Sequence, residues 1–97
     1  MPRVPTAAVS SQVLNDLFEE CEIWAKIKDG RLTSTFHSGI RSHNWPDATS
    51  FIVKHSLPDG KHVVTTHCVK DDHGTVFHWD AKDILLDGIR LWRAESR

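Results

Sequence analysis

The chain has no tyrosine, one methionine, two cysteines and no long apolar run. Each shortage excludes a class of protein. Cys21 and Cys68 lie too far apart for a C-x-x-C pair, so zinc ribbons and dithiol redox motifs are excluded. No stretch approaches the roughly 18 apolar residues of a membrane-spanning helix. The first residues, Met-Pro-Arg-Val-Pro-Thr, lack the apolar core of a secretory leader. Charge of one sign is also missing: 12 Lys and Arg face 13 Asp and Glu, for a net charge of −1. That balance disfavours a nucleic-acid partner held by a generally basic surface, though it leaves room for a local basic patch. Glycine-rich phosphate loops, G-x-S-x-G elbows, and H-E-x-x-H or H-x3-H spacings are absent. These absences lead us to expect a cytoplasmic protein with reduced thiols and no membrane partner.

Seven histidines and four tryptophans stand out within 97 residues. Composition is otherwise globular, 39% hydrophobic and 26% charged. The expected organisation is a flexible N-terminal arm over 1–9 and one α+β domain over 10–97. In the latter, Val13, Leu14, Leu17, Phe18, Cys21, Trp24 and Ala25 recur at helical spacing. Ser10 or Ser11 can cap the start, and Asp29-Gly30 can end the segment, which predicts one amphipathic helix over 10–28.

Everything after Gly30 reads as strand and turn: strands over 31–38, 50–56, 61–70 and 75–80, with a long irregular loop over 39–49. The remaining segment, 81–94, has two readings. Asp80 could cap a second helix, or Leu86-Asp87-Gly88-Ile89 could close a hairpin that brings Ile84, Leu86, Ile89 and Leu91 onto one face, and the hairpin is preferred. The expected fold is therefore an N-terminal amphipathic helix packed on an antiparallel β-meander of four to five strands.

Turns ending in Gly60 and Gly74 set an expected register. Val53 faces Val64, His55 faces His62, Cys68 faces Phe77, and His67 faces His78. Phe51, Val53, Val64, Cys68, Phe77 and Trp79 then share a core face under the helix. Ser50, Ile52, Lys54, Thr65, His67, His78 and Asp80 share the other.

That second face carries the chemistry. Directly opposed residues of an antiparallel pair stand about 5 Å apart at Cβ. His67 and His78 can thus act as base and acid, with Lys54 as the cation, in metal-independent cleavage of RNA. A helix followed by an antiparallel sheet is similar, in size and element order alone, to the small toxin ribonucleases of toxin–antitoxin pairs. The same His67 and His78 with Asp80, helped by His37 or His43, can instead ligate zinc or nickel. In the loop, Arg41, His43, Asn44 and Trp45 combine a cation, an amide and an aromatic ring suited to gripping a base or a peptide. Trp45 could equally tuck back to cap the core. His55 and His62 read as partners at the open end of the core face. Trp92 reads as core closure or a subunit contact beside Arg90 and Arg93, and Cys21 and Cys68 as small buried apolar groups.

The leading functional expectation is a non-enzymatic binding or regulatory module that needs no cofactor. Its partner is a second copy of itself, as a homodimer, or another protein. The ribonuclease-like enzyme and the histidine-ligated zinc protein are the alternatives.

Overall fold

The computed structural model describes residues 5–42 and 44–94, and Ser38 by its backbone alone. Its elements are β1 (Thr6–Val9), α1 (Ser11–Glu20), α2 (Ile23–Lys28), β2 (Thr33–Arg41), β3 (Ala48–Ser56), β4 (His62–Asp71), β5 (Val76–Leu86) and β6 (Ile89–Arg93). The strands make one six-stranded sheet in the order β1-β6-β5-β4-β3-β2. The class is mixed α+β and the sheet is mostly antiparallel. Only β1 runs parallel to its neighbour, β6.

This edge strand corrects the expected flexible arm over residues 6–9. Thr6 to Val9 pair with Arg90 to Arg93, and Val9 packs against the core. The Pro5 carbonyl accepts from the Arg90 amide at 2.9 Å, so the chain is held before the strand begins.

The single helix expected over 10–28 is two. Ser10 caps α1, its Oγ accepting from the Val13 amide at 3.2 Å. The break falls at Glu22, which takes a left-handed φ of 54°. Leu14 and Phe18 are both buried and share one helix face. In a straight helix Ile23 would point about 140° away from Phe18, at 100° per residue. The break re-aims it into the core, where it is 2% exposed. Leu14, Phe18, Ile23, Leu32, Val64, Ala81 and Ile84 form that core between the helices and β4, β5 and β6.

Beyond the bulge that follows each turn, side chains of β3, β4 and β5 fall on the expected faces, but the register is shifted by two; between turn and bulge the shift is one, and His62, Val63 and Val76 change face. Val53 faces Thr66 rather than Val64, and His67 faces Asp80 rather than His78. Both hairpins differ for the same reason. Each closes around a three-residue loop, with Leu57 bonded to Lys61 and Asp71 to Thr75, and each loop ends in a glycine of positive φ (Gly60 92°, Gly74 86°). A bulge follows each turn, between His55 and Ser56 and between Val69 and Lys70. Turn and bulge each move the pairing by one, and an even slip returns the side chains beyond the bulge to their original face.

The segment 81–94 is strand and hairpin, not helix. Asp87 (φ 51°) and Gly88 (φ 77°) form the two-residue turn, with Ile84 facing Leu91 and Leu86 facing Ile89. The expected loop over 39–49 shrinks to residues 42–47, because β2 continues past a bulge between His37 and Ile40. Gly39 permits this: a Cβ there would stand 2.9 Å from the Phe51 ring.

Helix cover on the core face is incomplete. Phe77, expected in the core, is 43% exposed, and Phe36 is 38% exposed. Phe36 lies beyond the helices, where it packs edge-on to Phe51 and the Lys70 ammonium sits 4.1 Å above its ring, whereas Phe77 is the residue left over at the β5 bulge and its ring lies against Trp45. Trp92 is 43% exposed and does not close the core. Cys68 is buried, which raises its thiol pKa, while Cys21 is partly exposed; neither is in a disulfide. No helix of the described residues is long and apolar enough to cross a membrane.

Candidate functional site

On the face away from the helices, β3, β4 and β5 set Ser50, His67 and Asp80 side by side, because His67 faces Asp80 across one ladder and Ser50 lies on the adjoining strand. The three form a chain of contacts. Ser50 Oγ is hydrogen-bonded to His67 Nε2, and His67 Nδ1 lies 3.1 Å from Asp80 Oδ1. His78 Nε2 reaches the same carboxylate oxygen at 3.2 Å, and the Arg93 guanidinium holds the other one, Oδ2.

The donor inventory fixes the protons. A carboxylate only accepts, so His67 must carry hydrogen on Nδ1 and His78 on Nε2. With His67 neutral, its Nε2 is then a bare lone pair, and the Ser50 hydroxyl donates to it. This is the proton arrangement of a serine nucleophile, its imidazole base and the carboxylate that orients the base, a constellation recognised by geometry rather than by sequence order.

The group opens into a cleft of about 400 Å³ lined by Arg41, Asn44, Trp45, Ser50, His67, Val69, His78, Asp80, Lys82 and Arg93 among others. Two constellations that were separate in the sequence therefore share one wall: the imidazoles of the sheet, and Arg41, Asn44 and Trp45 from the end of β2 and the loop. Trp45 does not cap the core; its ring lies near-parallel to Phe77 and His78, with centroids 6.0 and 6.1 Å away. The Trp45 amide donates to Ser42 Oγ and the Ala48 amide to the Trp45 carbonyl, which fixes the loop over the cleft. Arg41, Lys82 and Arg93 against Asp80 make this wall net cationic in a chain of net charge −1.

The other expected site residues are placed as follows. His67 and His78 are not directly opposed, yet their rings converge at 5.8 Å. Lys54 faces Thr65, further along the sheet, and does not line the cleft, which corrects its assignment as the cation of the site. Arg93, Arg41 and Lys82 take that place. His43 lies outside the described residues. His37 faces Ile52 and is not among the cleft residues.

His55 and His62 part company. His62 bonds to the Val64 carbonyl and Thr65 Oγ1, near the Asp83–Arg90 ion pair. His55 is fully buried on the helix face, between Ser34 Oγ and Thr66 Oγ1, each at 2.8 Å. Burial, helped by the nearby His62, pushes its pKa down to about 4. Burial also lowers that of His62.

Ser50 and Arg93 are the participants that residue-type reasoning did not single out. Ser50 was placed on the correct face, but no local motif marks a nucleophile built from three strands. A wider hollow of about 720 Å³, lined by Asp47, Asp71, Asp72 and His73, lies around the 42–47 loop. Asp71 is committed there to its own turn, accepting from the His73 and Thr75 amides, and among the described residues no hydrogen bond in that hollow pairs a base with a nucleophile.

No family model, curated protein or solved structure matches this chain.

Proposed function

We propose that the cleft cleaves a small phosphodiester without a metal, with Ser50 as nucleophile, His67 as base and Asp80 as the group that orients the base. The observation that carries this reading is the unbroken contact chain Ser50–His67–Asp80 facing an open cationic cleft. Ser50 Oγ attacks phosphorus as its proton passes to His67 Nε2. The imidazolium so formed faces the Asp80 carboxylate and returns the proton to the departing oxygen. Water, activated by the same nitrogen, then frees Ser50. Arg41, Lys82 and Arg93 supply the positive charge that a phosphoryl group gathering charge requires. Trp45 and Asn44 are placed to hold an attached base.

The test is hydrolysis of bis(p-nitrophenyl) phosphate and of a short RNA, with EDTA present. Cleavage by the parent, lost in both Ser50→Ala and His67→Ala, is the expected result. If Ser50→Ala still cleaves RNA while His67→Ala does not, the attacking group is the RNA 2′-hydroxyl, with His67 and His78 as base and acid, and Ser50 is not the nucleophile. A parent that cleaves neither substrate ends the enzymatic reading.

A second reading rests on a different observation. Phe36 and Val76 are exposed at the uncovered end of the helix face, and a second copy seated there would make the protein a self-associating binding module. Sedimentation at high concentration tests it, and a clean monomer refutes it.

A further inference from the structure

We propose that the same three groups bind one zinc ion, and that zinc switches the site off by reversing the tautomer of His67. The donor atoms are His67 Nδ1, His78 Nε2 and Asp80 Oδ1, all within 4.8 Å of one another. Two of the three separations, 3.1 and 3.2 Å, are close to the ~3.3 Å between donors in a tetrahedral zinc site with bonds of 2.0–2.1 Å. Two imidazoles and one carboxylate suit zinc and leave a fourth position open to the cleft. The surroundings are those of metal ligands. Ser50 bonds to the far nitrogen of His67 and Arg93 to the far oxygen of Asp80, so both are held in orientation by a neighbour that is not itself a ligand.

Protonation and metallation are mutually exclusive here. In the proton form, His67 Nδ1–H donates to Asp80 and the Nε2 lone pair accepts from Ser50. When zinc takes Nδ1, the hydrogen of the neutral ring must sit on Nε2, which then donates to Ser50 Oγ and cannot accept its proton. His78 changes in the opposite sense, from Nε2–H to Nδ1–H. Both rings remain neutral and Asp80 remains a carboxylate, so no proton is released overall. The metal site stands on geometry alone; the inhibitory consequence rests on the serine-nucleophile reading.

The experiment titrates zinc chloride into EDTA-cleared protein by calorimetry, follows the imidazole nitrogens by 15N NMR, and measures diester cleavage in parallel samples. One zinc per chain is expected. Affinity should fall well over tenfold in His78→Ala and in Asp80→Asn, which remove or weaken a ligand, and by less in Ser50→Ala, which removes only an orienting neighbour. The His67 signals should exchange from an Nδ1–H to an Nε2–H pattern, and cleavage should fall in proportion to occupancy. Zinc that does not bind, or binds as tightly in His78→Ala and Asp80→Asn as in the parent, overturns the site. Zinc that binds and leaves cleavage unchanged overturns the switch. A parent that binds zinc with the tautomer change but never cleaves leaves the metal site standing and removes the catalytic reading.

Discussion

Two histidines on opposite faces of β3 and β4 are held by similar neighbours and put to opposite use. His55 lies between Ser34 and Thr66, and His67 between Ser50 and Asp80. In the first network both neighbours are hydroxyls, which can give or take hydrogen, and Trp79 Nε1–H donates to Thr66 Oγ1 at 2.7 Å. His55 can therefore carry its hydrogen on either nitrogen, since no carboxylate claims one of them. In the second network the carboxylate claims Nδ1–H, and the serine donates to the ring. A carboxylate in the third position thus fixes the tautomer that lets the imidazole take hydrogen from a serine, and a hydroxyl there does not. Burial reinforces the difference: His55 is 0% exposed beneath the helices, and the His67 side chain is 24% exposed at the cleft.

The largest effect that separates the two networks is on rate. His67→Ala and Ser50→Ala should each lower phosphodiester cleavage by about 10²–10⁴-fold, the range for a lost acid–base group, while leaving the chemical-denaturation midpoint nearly unchanged. His55→Ala should do the reverse. It empties a buried ring position and strands two hydroxyls, so urea unfolding should show a loss of about 2–4 kcal/mol with cleavage retained in the folded fraction.

Acid should sharpen the contrast. His55 has a folded pKa of about 4, below the 6.5 of a free imidazole, so its contribution to stability is complete above pH 6.5 and fades as pH falls towards 4. At about 1.4 kcal/mol per pKa unit the loss reaches a few kcal/mol. Unfolding midpoints between pH 7 and 4 should fall steeply in the parent and more gently in His55→Leu; equal slopes would remove His55 as the cause. The smallest effect is Ser34→Ala. It removes one hydrogen bond at the sheet edge, should cost about 1 kcal/mol, and should leave cleavage untouched.

Much of the fold is written in local pattern. The alternation of Phe51, Val53, Cys68 and Trp79 against Ser50, His67 and Asp80 assigns faces without knowledge of register, because faces survive any even slip. The register itself is harder to read, since Asp59-Gly60 and Asp72-His73-Gly74 fit a four-residue turn as well as a three-residue loop with a bulge. The strand Thr6–Val9 is too short to show a period, and its parallel partner β6 lies at the far end of the chain. The break at Glu22 has no glycine or proline to announce it.

Of the site, His67, His78, Asp80, Arg41, Asn44 and Trp45 stand out by residue type. Lys54 does too, yet it lies two pairs along the sheet from the ring it was expected to serve. Ser50 and Arg93 are ordinary residues that become participants only when four strands bring them to Asp80 and His67. Their signal was parity for Ser50, and for Arg93 the place of β6 beside β5.

The account turns on one serine being primed by its imidazole while another is not. Treatment with diisopropyl fluorophosphate, followed by peptide mass spectrometry, reads this directly: the serine oxygen bonds to phosphorus, fluoride leaves, and the serine proton departs through the base. A single adduct on Ser50, absent in His67→Ala, with Ser34 unmodified, is the predicted result. No adduct on Ser50, or equal labelling of Ser34 and Ser50, would contradict it.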